Sequence, residues 1–476
     1  MESSVARYTY VGTFLTALSM LMFEILLTRI FTVTMLYHFA FVAISTAMFG
    51  MTIGSLIVYL LPRYFTDELT TYHLALSALW FSISMFFALL TYLAVPMVPA
   101  VSFQAAYTLL FIYVTVSIPF VFGGICICLI LTRFPGHLGK LYAADLIGAA
   151  TGCIAVIYFT QLTDGPSSIV IAAFLASIGA LFFTLHRPNT RIAKAVLIWN
   201  LLLGGFIVTD AALSSPQGGL IRVAWVEGKL EPPGLYERWN SYSRLKVLDY
   251  FSGEPAPVRG WGLSLKYPRT KELRSYFVKI NNDSGTWLTA FDGDLNKMDH
   301  LKYELGNLVH YIRPKSRILS IGVGGGIDVL SGLVFDQKEI VAVDLNGNLL
   351  DLVNRVFGKF TGRLDKIPGV RFVHDEARSY LAREKTPFDI IQARGIERPK
   401  AALGGAFVLS ENGLYTVESW KLMLDRLAPN GVITFTRIHF PNLPHDLYRM
   451  TSLATRALLD RGVKAPREHI IVARLL

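Results

Sequence analysis

The sequence predicts a multi-pass α-helical membrane domain joined to an α/β domain, whose doubly wound, mostly parallel sheet follows a small β-subdomain. Three observations predict it. The apolar residues crowd into roughly the first 210 positions, in segments long enough to cross a bilayer. The glycine-rich turn Arg317-Ile-Leu-Ser-Ile-Gly322-Val-Gly324-Gly325-Gly326-Ile-Asp328 ends one apolar run, and a second run, Ile340-Val-Ala-Val-Asp344, closes on an acid. From there onward, strand-like and helix-like segments alternate.

The membrane half, 1–213, contains about seven spans, near residues 9–33, 37–61, 72–95, 105–133, 141–162, 167–186 and 193–212. The first is too long for a cleavable leader and lacks a small-residue cleavage site, so it is expected to remain as an anchor. Over the whole chain 53% of residues are hydrophobic and 17% charged, with a formal net charge of +10. No long Lys/Arg run accompanies that charge, which is ordinary for a membrane protein with basic loops and argues against nucleic acid as a partner. Cys126, Cys128 and Cys153 all lie in spans. The soluble half therefore has neither a disulfide nor a cysteine metal site, and no metal is expected.

Three ionisable residues stand out in the apolar half: Glu24 and Arg29 in Phe23-Glu-Ile-Leu-Leu-Thr-Arg29, and Asp145 in Leu141-Tyr-Ala-Ala-Asp145. A charge in hydrocarbon needs a partner or a path to water, so each marks either a polar cavity for a headgroup or small amine, or a helix-helix pin. Gly148-Ala-Ala-Thr-Gly152 fits close helix packing, and Pro119 with Gly123-Gly124 predicts a kink in its span. Arg7, Arg63, Arg133, Lys140, Arg187, Arg191 and Lys194 fall on the side of the N-terminus, whereas the opposite loops are almost bare of cations. The N-terminus is expected in the cytoplasm of a cell (inner) membrane, and an odd number of spans then turns the soluble half outward. Adenosyl cofactors are made in the cytosol, so cofactor supply argues the other way.

The soluble half opens with a β-subdomain over 218–295, carrying Leu220–Val226, Arg244–Leu248 and Tyr276–Ile280 as strand candidates between turn clusters. The nucleotide fold occupies 296–476. Its strands are expected at Arg317–Ile321, Ile340–Asp344, Val370–Val373, Phe388–Ile391 and Gly431–Thr436, with helices near 347–360 and 416–427. Glycines allow the backbone to approach a ligand, and an acid after the second strand accepts hydrogen bonds from ribose hydroxyls. Gly322, Gly324, Gly326, Asp328, Asp344 and Asp375 are accordingly the cofactor-binding candidates for an adenosine-type ligand beyond the strand ends. Asp389 is expected to stabilise its strand or the neighbouring ones.

Several segments together carry a resemblance to a known family: the Glu24 and Asp145 motifs, Trp239-Asn-Ser-Tyr-Ser-Arg244, Phe291-Asp-Gly-Asp294, the Gly322 turn and Leu409-Ser-Glu-Asn-Gly-Leu-Tyr-Thr-Val-Glu418. The chain from about 220 to 475 resembles the spermidine synthase (polyamine aminopropyltransferase) branch of the S-adenosylmethionine-dependent, Rossmann-like methyltransferase fold, and the whole resembles bacterial proteins that fuse such a domain to a multi-pass region. The resemblance implies S-adenosylmethionine or its decarboxylated form as cofactor, with Asp344 at the ribose and Asp375 at the adenine. It places Arg394 where soluble synthases carry the acid that orients the attacking amine, and a cation there repels a polyamine and cannot serve as its base. Gly325 stands where they hold the cofactor's ammonium with an aspartate. Ordinary spermidine synthesis is therefore not expected. Glu397 is the catalytic candidate, as base or substrate-orienting group, with a solvated acid paired to Arg394 or Arg398 as the alternative. Gln392, Arg394, Tyr303 and Asp299 are substrate-binding candidates, and His310 matches the synthases' substrate-segment histidine.

The leading expectation is a membrane-anchored transferase acting on a small amine or lipid-associated acceptor, in contact with membrane lipid. The alternatives are a non-catalytic nucleoside or polyamine sensor and a transporter with a regulatory soluble domain. The strand-like end, His469-Ile-Ile-Val-Ala-Arg-Leu-Leu476, predicts an exposed sheet edge where this fold normally adds one more antiparallel strand: either the chain is short there, or another chain, a second copy or a partner, covers the edge.

Overall fold

A computed structural model describes residues 7–35, 39–97, 102–186, 189–260, 262–268, 270–282, 284–395, 413–438 and 445–475. The chain divides into two compact units, 1–244 and 245–476.

Among the described residues of the first unit, seven helices are long and apolar enough to cross a membrane. They are α1 (Arg7–Thr34), α2 (Ala40–Leu60), α3 (Thr70–Ala94), α4 (Phe103–Arg133), α5 (Leu138–Leu162), α6 (Gly165–His186) and α7 (Thr190–Leu213). Small residues set the closest approaches. A Cβ on Gly148 would lie 2.3 Å from the Phe14 carbonyl oxygen, and one on Gly152 would lie 2.5 Å from that of Leu18, so only glycine lets α5 lie against α1. Gly54 and Gly124 do the same between α2 and α4, against the Val121 carbonyl and the Met51 backbone. The expected kink near Pro119 lies in a stretch that is helical throughout. Glu24, Arg29 and Asp145 are half-buried.

Beyond α7, the short strands β1 (Trp225–Val226) and β2 (Lys229–Leu230) form a hairpin, and β3 (Tyr236–Trp239) follows. Two buried acids unremarked in the sequence join this segment to the helices. Asp164 caps α6 by accepting from Ser167 N–H at 2.7 Å and also accepts from Gly219 N–H at 3.2 Å. Asp210 accepts from the Ser167 hydroxyl at 2.7 Å and from Leu220 N–H at 2.6 Å. Arg244 is buried between Glu231 and Glu237, 2.8 Å from each.

The second unit begins with an antiparallel sheet of β4 (Arg244–Leu248), β7 (Ser275–Ile280) and β8 (Ser284–Thr289), beside the two-residue pair β5 (Ala256–Pro257) and β6 (Glu272–Leu273). One-residue alternation places Val247, Val278 and Leu288 in the core. The β-subdomain expected over 218–295 is thus divided, its first strands falling in the first unit. A short helix α8 (Leu308–Ile312) leads into the nucleotide fold. There β9 (Arg317–Ile321), β10 (Glu339–Asp344), β11 (Val370–His374), β12 (Phe388–Arg394) and β13 (Leu427–Thr436) form a sheet of order β11-β10-β9-β12-β13, parallel throughout. The strands are Val/Ile/Leu-rich because helices cover both faces. The helices of this part of the unit include α9 (Ile327–Val334), α10 (Gly347–Asp351), α11 (Gly358–Thr361), α12 (Ala377–Arg383), α13 (Val417–Asp425) and α14 (His445–Leu459). Asp389 accepts from Arg317 N–H at 2.8 Å and pairs with Arg313 at 3.1 Å, tying β12 to the start of β9 as expected.

Candidate functional site

Strand order reverses between β9 and β12, and the switch point of such a sheet opens a crevice at the strand C-termini. The glycine turn leaves β9 there. Gly322, Gly324 and Gly326 all have positive φ, at 81°, 53° and 87°, a region that L side chains enter only under strain. Gly325 is constrained differently: a Cβ there would stand 1.9 Å from the Trp287 carbonyl oxygen of β8. No aspartate fits at 325.

The turn's N–H groups already have acceptors. Gly322 donates to the Val343 carbonyl at 2.8 Å, Gly325 to the Thr286 hydroxyl at 2.9 Å and Gly326 to the Val323 carbonyl at 2.9 Å. Asp344, at the end of β10, receives Val323 N–H and Asn346 N–H, one on each carboxylate oxygen, both at 2.8 Å. Burial raises the Asp344 pKa, and the backbone donors Asn346, Val323 and Gly324 oppose that rise. With three backbone N–H groups directed at a carboxylate of about four lone-pair sites, about one site is left for a further donor such as a ribose hydroxyl. Asp375 follows β11, accepts from Glu376 N–H at 2.9 Å and pairs with Arg383. Its neighbour His374 reaches the Leu345 carbonyl at 3.0 Å, so β10 and β11 end in a linked pair of loops.

The C-terminal end of β12 carries the most concentrated buried charge in this unit. Arg394, its side chain 6% exposed, sets Nη1 2.5 Å from Glu304 Oε2 and Nε 2.9 Å from Asp328 Oδ1. Its Nη2 donates to Asn307 Oδ1 at 2.5 Å. Asn307 donates in turn to the Leu301 carbonyl at 2.7 Å and the Ser331 hydroxyl at 3.0 Å. Gln392 is buried beside Asp328, and neither atom of its amide closes a well-formed hydrogen bond. Two sequence candidates therefore have partners the sequence reading did not anticipate: Asp328 holds Arg394, and Arg394 is held by two acids. Glu304 and Asn307 were missed altogether. The one available signal was an acid and an amide among the apolar residues of Leu301-Lys-Tyr-Glu304-Leu-Gly-Asn307.

The remaining candidates lie apart from this cluster. Asp299 accepts from the Tyr267 hydroxyl at 2.8 Å and pairs with Lys271 at 2.7 Å. Burial raises its carboxyl, but the Lys271 and Tyr267 hydrogen bonds outweigh that and leave it below the usual carboxylate range. Tyr303 is exposed, its ring centroid 5.0 Å from that of Tyr267. His310 is buried against Phe335, with Nδ1 3.3 Å from the Gln337 amide, and burial pushes its pKa down to about 4. Glu397 lies outside the described residues.

Strand order and register define the second unit as a doubly wound, Rossmann-like α/β fold, with a glycine turn after its first strand and an acid after its second. No family model matches the chain, and no curated protein does. Among solved structures it is similar to a spermidine synthase in complex with the transition-state analogue AdoDATO, 15% identical with a TM-score of 0.30. It is also similar to the spermidine synthase of Thermotoga maritima, 15% identical with a TM-score of 0.31. Each likeness covers 48% of this chain and 63% of the other, so the chain spans less than two thirds of either synthase. The fold itself stands on strand order and register.

Proposed function

We propose that the chain is a membrane-anchored transferase that binds S-adenosylmethionine or its decarboxylated form at the β9–β12 switch point and acts on an amine or lipid-associated acceptor. The observation that carries the reading is Asp344, set beside the glycine turn and held there by backbone donors, with room for one further donor such as a ribose hydroxyl. Asp375 is the candidate for the adenine edge, which requires Arg383 to share it or move. Glu397 is the candidate base. The cofactor, when bound, supplies an electrophilic carbon next to a sulfonium, while the chain's own groups bind and orient.

A second reading, a nucleoside- or polyamine-binding sensor without catalysis, is favoured by one observation: protein acceptors already take the turn's N–H groups, a self-satisfied arrangement. The test is calorimetry of the purified full chain with S-adenosylmethionine, its decarboxylated form and methylthioadenosine. Asp344→Ala removes charge-assisted hydrogen bonds of about 1.5 to 3 kcal/mol, roughly a ten- to hundredfold loss of affinity. Binding that is unchanged in this variant rejects the site. Binding of methylthioadenosine with no transfer to any amine or lipid supports the sensor.

A further inference from the structure

The ion cluster at the end of β12 is unbalanced. Two carboxylates, Glu304 and Asp328, face one guanidinium, with side chains 1%, 3% and 6% exposed. A net buried charge is costly unless something neutralises it. No other cation pairs with these three side chains among the described residues. His310, which feels the charge of Arg394, and His300, on the segment that precedes Glu304, are both pushed down to about 4 by burial and are neutral. Glu304 is hemmed in on its other side, because a Cβ on Gly260 would stand 2.0 Å from its Oε1. Asp328 faces Arg394 and the Gln392 amide.

We propose that this cluster carries a resident proton, held by the Glu304–Asp328 pair around Arg394, so that the end of β12 is electrically neutral. Each acid disfavours ionisation of the other, while the single guanidinium stabilises only one negative charge fully. Burial raises the carboxyl pKa of both Glu304 and Asp328, and Arg394 opposes the rise in each case. Gln392 suits the arrangement, since an amide accepts from a protonated carboxyl or donates to an ionised one.

Substitution of Glu304 gives opposite signs for a proton-bearing and a fully ionised cluster. Glu304→Gln keeps an oxygen for Arg394 and deletes the surplus charge. With a resident proton, the variant of the full chain melts near the parent at about pH 5 and above it at about pH 8 to 9, because only the parent must take up a proton on folding, which costs more as pH rises. Infrared difference spectra of the parent should also show an un-ionised carboxyl C=O stretch that persists at neutral pH and disappears when Glu304→Gln and Asp328→Asn are combined. The proposal fails if Glu304→Gln melts below the parent by the same margin at every pH. It fails too if the parent lacks the infrared band, or if added NaCl or KCl removes the pH dependence, which would mean that a metal cation supplies the missing charge. The infrared measurement on the parent needs no folded variant. Neither readout uses a ligand, so failure here leaves the adenosyl reading standing, and the reverse also holds.

Discussion

At the scale of single residues, the meaning of Arg394 changes between sequence and structure. As a lone cation in an orienting acid's place it argues against an amine acceptor, whereas enclosed by Glu304 and Asp328 it presents no net positive charge. The absence of an acid at that position still argues against ordinary spermidine synthesis, but repulsion by Arg394 no longer adds to the argument. Gly325 is the other informative position. Because the Trp287 carbonyl occupies the space of its side chain, Gly325→Ala forces β8 and the turn apart and is expected to cost about 1 to 3 kcal/mol. A lowered melting temperature of the full chain checks this. An unchanged one would mean that the turn relaxes freely and that an aspartate could be accommodated there.

At the scale of elements, the ends of α6 and α7 are held to the segment that follows by Asp164 and Asp210, and one of these acids makes the joint sensitive to pH. Burial, assisted by the charge of Asp210 and opposed by hydrogen bonds from Ser167 and Gly219, pushes the Asp164 carboxyl up to about 6 from an ordinary value of 3.8. The folded form then binds the proton more tightly than the unfolded one. This contribution to stability is fully present below about pH 4 and is lost as pH rises through about 6. Melting curves of the full chain between these values should show the decline, and Asp210→Asn, which removes the neighbouring charge, should move its upper end to lower pH. A decline unaltered by Asp210→Asn would assign it to other groups. The sequence conveyed the helices themselves, since spanning length and apolarity are local properties, but it gave no sign that residues 46 apart share this joint.

For the whole molecule, the question the fold leaves is orientation. With loop cations on the side of the N-terminus and seven helices of spanning length, the charge rule puts position 190 in the cytoplasm and position 215 outside. Single cysteines replacing Thr190 and Ser215, labelled by an impermeant thiol reagent in intact cells, test this. Thr190 is preferred to Asn189 because the Asn189 side chain caps α7. Label at 215 alone is the expected result; label at 190 alone overturns the charge argument, and protection of both returns the second unit to the cytosol with its cofactor supply. The sequence by itself determined the helices of spanning length, the glycine turn between strand and helix, and the position of Asp344 at the end of the next strand, because each is written in spacings of a few to about twenty residues along one stretch of chain. Only the tertiary structure decided which groups Arg394, Asp328 and Asp375 meet and which acids lie buried together. Glu304 and Arg394 stand 90 residues apart, and the burial that makes their charges matter is a property of the packed unit and not of either segment.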